Sequence, residues 1–123
     1  MIDLYETIKN FKIGQYLREF DKRIIITTLI FFKGYDESVA MYIEPTEEED
    51  VYIIADCHSV TDYWELSYIN KEDYKEQIDK IGLGFKDNCF YTKIRAYNEQ
   101  DLYSGIWRFI EKLFLLANIE LLK

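Results

Sequence analysis

Arg23-Ile-Ile-Ile-Thr-Thr-Leu-Ile-Phe-Phe32, followed by Val39-Ala-Met-Tyr-Ile43 and Val51-Tyr-Ile-Ile-Ala-Asp56, decides the fold. The first segment is dense in β-branched residues and too short for a long helix, which predicts a central strand. In the other two segments Val39, Met41 and Ile43 alternate with Ala40 and Tyr42, and Val51, Ile53 and Ala55 alternate with Tyr52, Ile54 and Asp56. That period of two predicts two more strands. Gly34-Tyr35-Asp36-Glu37 reads as a turn, and Pro45 ends the second strand by removing a ladder donor. Loops this short join neighbouring strands into an antiparallel meander.

Outward from this meander the pattern turns helical. Leu4, Ile8 and Phe11, then Ile13, Leu17 and Phe20, recur at helical spacing from Asp3 to Phe20, with Gly14 as a possible division. Asp3 and Glu6 have the form of a capping box, which starts the helix there. Cys57 to Tyr68 reads as a loop with one helical turn around Asp62 to Leu66. Asn70 caps a helix faced by Tyr74, Ile78 and Ile81, and Gly82 stops it. After an Asp87-Asn88 turn, Phe90, Thr92, Ile94 and Ala96 alternate with Tyr91, Lys93 and Arg95 as a fourth strand. Asn98 then caps a last helix. Its stripe of Leu102, Ile106, Phe109, Ile110, Leu113 and Ala117 widens through Phe114, Leu115, Leu116, Leu121 and Leu122, which predicts packing on more than one side. The expected order is α-β-β-β-α-β-α: one α+β domain over residues 1–123, with a four-stranded, mainly antiparallel sheet and helices on one face.

The chain has 123 residues, with 23 Asp and Glu against 15 Lys and Arg, for a net charge of −8. Its 49% apolar content excludes intrinsic disorder. The acidity argues against nucleic acid as a partner, because phosphate binding rests on Lys and Arg. The longest apolar run, Ile24 to Phe32, is too short to cross a bilayer, and Met1-Ile2-Asp3-Leu4-Tyr5-Glu6 lacks the form of a signal peptide. With only Cys57 and Cys89, free thiols in a reducing cytoplasm are expected.

No motif points to catalysis or to a cofactor. Cys57-His58 beside Asp56 invites a nucleophile reading, but adjacent strand residues point to opposite faces, and no second His exists. Three Cys and His residues are too few for a zinc site, and Glu47-Glu48-Glu49-Asp50 lacks the spacing of a calcium loop. Ile81-Gly82-Leu83-Gly84-Phe85 is a helix stop, since it has no third glycine and follows a helix. The chain is therefore expected to be no enzyme and to hold no metal or cofactor.

Charge is distributed unevenly. From Gly34 to Asn70 there are ten acids and no Lys or Arg, so this span carries −10 and the rest of the chain +2. Charge runs often serve only solubility. Here, however, no base relieves the repulsion, and Tyr63 and Trp64 lie between Asp62 and Glu65 as interface anchors would. The expected partner-binding set is Glu47, Glu48, Glu49, Asp50, Asp56, Asp62, Tyr63, Trp64 and Glu65, facing a basic protein. If these form only a solvated edge, the interface is expected on Lys93 and Arg95 of the fourth strand or on the helices.

The run from Ile26-Thr27-Thr28 to Tyr42-Ile43, then Tyr52-Ile53-Ile54-Ala55-Asp56, then the helix ending at Ile81-Gly82, resembles a small domain of unknown function found in prophages. Asp36 and Asp56 fall at that family's Asp positions. Cys57-His58 stands where Asp-Gly is usual, and no Pro follows Thr28. The resemblance covers about residues 24–116; it implies an α+β fold and a mobile-element neighbourhood, and assigns no activity. In size, acidity and lack of motifs the chain is also similar to bacterial toxin-immunity proteins, including those of contact-dependent growth inhibition systems. That similarity implies a small cytoplasmic protein that binds and blocks a toxin, commonly a basic nuclease. The alternative is a phage-encoded antagonist that mimics DNA charge against a host nucleic-acid-binding protein.

Overall fold

A computed structural model describes residues 2–122 of the chain. Helix α1 (Leu4–Phe11) starts as its sequence dictates: the Asp3 carboxylate accepts the Glu6 N–H at 3.2 Å. It ends at Lys12, which takes a left-handed conformation with φ 58°. The expected continuation as helix is wrong. Residues Gly14–Phe20 form strand β1, paired antiparallel with β2 (Arg23–Phe31) from Tyr16↔Thr27 to Phe20↔Arg23. The Ile13-to-Leu17 spacing of four misleads because it satisfies one face of a helix and one face of a strand equally.

Strands β3 (Ser38–Pro45) and β4 (Val51–Asp56) complete the meander. Residues Ser59–Leu66 form a full helix, α2, where a loop with one turn is expected. A 3-10 turn capped by Asn70 leads into α3 (Lys75–Ile81), and Gly82 closes it with φ 82°. Two short strands follow, β5 (Gly84–Lys86) and β6 (Cys89–Arg95), joined by Asp87 and Asn88 at φ 54° and 63°. Two successive positive φ values are what a tight hairpin turn requires. Helix α4 (Glu99–Ala117) is capped by Asn98, whose side chain accepts the Asp101 N–H at 2.9 Å.

The result is an α+β fold with a six-stranded antiparallel sheet in the order β1-β2-β3-β4-β6-β5, two strands more than the sequence suggests. The additional strands are β1 and β5. Burial alternates along the central strands, with Ile24, Ile26 and Thr28 of β2 and Val39, Met41 and Ile43 of β3 turned inward. On that face α4 contributes Leu102, Ile106, Phe109, Ile110, Leu113 and Leu116 to the core, and Phe11 of α1 stacks on Tyr103 with centroids 4.3 Å apart. The expected widening of the α4 stripe holds at buried Leu116 and half-buried Phe114, but Leu115 is exposed, as are Leu121 and Leu122 in the 3-10 turn that follows the helix. No helix among the described residues packs on the opposite face of the sheet. Among the described residues, no helix is long and apolar enough to cross a membrane.

Candidate functional site

The −10 span does not make one surface. The β3–β4 hairpin puts Glu47, Glu48, Glu49 and Asp50 at one end of the sheet. Asp36, Glu37, Asp62 and Glu65 lie at the other end, on the β2–β3 turn and α2. The eight residues of β3 separate the ends by about 25 Å at strand rise.

The hairpin is tightly built. Its Thr46 hydroxyl accepts the Glu48 N–H at 3.2 Å and sits 2.9 Å from the Val51 carbonyl, and Asp50 adopts φ 62°. Glu48 is neutralised by Arg95 of β6 at 2.7 Å. That pairing spans 47 residues and depends on the β4–β6 ladder, so local sequence carries no sign of it.

At the other end three carboxylates converge on an aromatic pair. Tyr35 and Tyr63 pack edge to face with centroids 5.5 Å apart, and Tyr63 also meets Phe32 at 5.2 Å. The Tyr35 hydroxyl donates to Glu37 at 3.1 Å, and the Tyr63 hydroxyl donates to the Lys33 carbonyl at 3.1 Å. Burial, then the bond to Glu37 and the charges of Glu37, Asp62 and Asp36, push the Tyr35 phenol up to about 12. Both rings are half-buried, while Asp36, Glu37, Asp62 and Glu65 are exposed. Among the described residues none of these four acids forms an ion pair.

Two expected contact residues belong to the interior. Asp56 is fully buried, and its carboxylate accepts the N–H groups of Val60 at 3.0 Å and Phe90 at 2.7 Å. It thereby fastens the start of α2 to β6. Burial nevertheless pushes its carboxyl above the usual range, against the two N–H bonds that favour the charge. Trp64 is 3% exposed; its indole N–H donates to the Leu116 carbonyl at 2.8 Å and its ring packs against Phe90. Helical periodicity explains the misreading: in a full α2 helix Trp64 and Val60 share the inner face, whereas a loop would have left Trp64 free.

The structure also forms a contact the sequence hides. His58 does not meet Cys57; its Nδ1 lies 3.5 Å from the Cys89 sulfur and 3.1 Å from the Asn88 carbonyl. The Nε2 of the same ring lies 4.0 Å from that sulfur. Burial pushes both thiols up, Cys57 to about 11, which keeps them protonated near neutral pH. Both are free. Among the described residues no three His, Cys, Asp or Glu side chains are grouped to hold a metal ion.

On the uncovered sheet face one cross-strand row runs Ile25, Tyr42, Ala55, Tyr91, Gly84. Arg23 stacks 3.8 Å above the Tyr42 ring and donates to Glu44 at 3.1 Å. Tyr91 lies across the bare backbone of Gly84, where a Cβ would collide with its ring. The small Ala55 between the two tyrosines leaves an open cavity of about 350 Å³. Comparison with protein families, curated proteins and solved structures finds no match for this chain.

Proposed function

We propose that this chain acts in the cytoplasm by stoichiometric binding to a basic protein, as an immunity protein blocking a toxin nuclease domain, and performs no catalysis. The observation that carries this reading is the end of the molecule at α2. There Asp36, Glu37 and Asp62 crowd a half-buried Tyr35–Tyr63 pair, and among the described residues none of the three forms an ion pair. Unrelieved like charge costs stability, so a surface that keeps it is suited to a partner that supplies the opposite sign. The two rings offer rigid area for packing once the charges have brought the partner in. On a nuclease the matching Lys and Arg would be those that hold phosphates, and covering them blocks substrate without chemistry.

The test is protection of cells from the product of the adjacent gene, with D36N/E37Q/D62N compared with the parent. All three positions are exposed, so the variant folds. The reading requires protection to be lost in this variant and kept in C57S/H58A. Full protection by the triple variant, or loss of protection in a folded C57S/H58A protein, contradicts it.

A further inference from the structure

Strand β6 is covered along only half of its outer edge. β5 pairs with Cys89 to Tyr91 and no further, because Gly82 turns the chain coming from α3 just before it. On its other side β6 pairs with β4 from Tyr91 to Arg95. The Phe90 N–H points towards β4, onto the Asp56 carboxylate, and the Ala96 N–H donates to the Asp50 carbonyl on the same side at 2.9 Å. Backbone groups alternate along a strand, so the N–H and C=O of Lys93 and Arg95 point to the free side. Among the described residues no strand pairs with them there, and the Lys93 carbonyl accepts only a long 3.5 Å contact from the Thr92 hydroxyl.

The same edge is basic. Arg108 and Lys112, one helical turn apart on α4, border a groove of about 420 Å³ together with Lys93 and Arg95. Gly105 allows the helix to lie this close, since a Cβ there would stand 2.7 Å from Ile94 Cδ1. Asp101 is the one acid lining the groove, and its carboxylate is engaged with the Tyr97 N–H at 3.0 Å. Arg95 is held by Glu48, but Lys93, Arg108 and Lys112 have no ion-pair partner among the described residues. A chain of net charge −8 thus places unpaired cations beside an open ladder.

We infer that this edge binds an extended acidic segment of another protein as an added strand on β6. Lys93 and Arg95 supply the main-chain pairing. Side chains alternate across a strand, so the carboxylates on one face of the added segment meet Arg108 and Lys112, and those on the other face meet Lys93. An open ladder finds complementary groups only in another polypeptide. A nucleic acid would meet the repulsion of the acidic molecule without satisfying the ladder. The surface is separate from the acidic end at α2, so either can fail without the other.

A blocked Glu-Glu-Val-Val-Glu-Glu-Val-Val octapeptide, which carries Glu on both faces of a strand, titrated into the ¹⁵N-labelled protein, tests this. Binding is expected to shift the Lys93 and Arg95 amides and slow their hydrogen exchange. Methylating alternate peptide nitrogens, or the R108E/K112E variant, should each weaken binding about tenfold or more. No binding at about 1 mM peptide overturns the inference. Equal binding by the methylated peptide overturns strand addition, leaving only charge attraction. Oligothymidylate binding at these amides in place of the peptide, or concentration-dependent shifts without any peptide, would assign the edge to nucleic acid or to a second copy of the chain.

Discussion

Trp64 donates its indole N–H to the Leu116 carbonyl in the last turn of α4. Replacing it with Ala removes a buried ring and that bond together, so W64A should cost about 3–5 kcal/mol in urea unfolding. A folded W64A protein of parental stability would show that the ring is not part of the core. Asp56 acts similarly through two buried N–H groups; D56A leaves both unpaired and should cost roughly 2–4 kcal/mol. Its titration has a definite sign. The folded carboxyl lies above the ordinary 3.8, so the folded state takes up the proton first as pH falls. The Asp56 contribution is smallest above the raised folded value and grows as pH falls through the window down to 3.8. Parent minus D56N stability, measured by denaturant, should therefore be larger near pH 3 than near pH 7. A constant difference would mean that burial does not govern this carboxyl. At Cys57, burial keeps the thiol protonated, and alkylation at neutral pH should be far slower than that of an unfolded-chain cysteine.

Elements differ in how plainly the sequence announces them. β3, β4 and β6 were legible from alternation and β2 from its density of β-branched residues, and the caps at Asp3, Asn70 and Asn98 sit where their side chains indicate. β1 was not, because Ile13 and Leu17 fit both periods and only pairing with β2 decides between them. β5 was not, because three residues are too few to show any period, and Gly84 reads as a helix stop. The role of Gly84 appears only across the ladder, where Tyr91 needs its missing Cβ. G84A should cost about 1–3 kcal/mol by displacing that ring. The double variant G84A/Y91A should lose less than the two single changes combined, as coupled neighbours do. Strict additivity in thermal unfolding would break the link between the two residues.

At the scale of the whole molecule, the fold distributes charge in a way the linear sequence conceals. The acidic span divides between two ends of the sheet, and Lys93, Arg95, Arg108 and Lys112 gather on one edge. Of the candidate contact residues, Glu47, Glu48, Glu49, Asp62 and Glu65 were legible as exposed charges. Asp56 and Trp64 were not, because their burial depends on where α2 docks. Tyr35, Asp36 and Glu37 were missed as partners of Tyr63, since a turn and a helix meet there only in three dimensions. The two acidic ends should have different kinetic roles. Exposed hairpin charges act at a distance and are screened by salt, whereas the α2 end is the proposed contact. The most direct measurement is the association and dissociation rate of the chain with the basic partner proposed for it, as a function of ionic strength. E47Q/E49Q/D50N should slow association and flatten its salt dependence while leaving dissociation unchanged; D36N/E37Q/D62N should also speed dissociation by about tenfold or more. Parental rates in both variants would contradict recognition through the acidic surface.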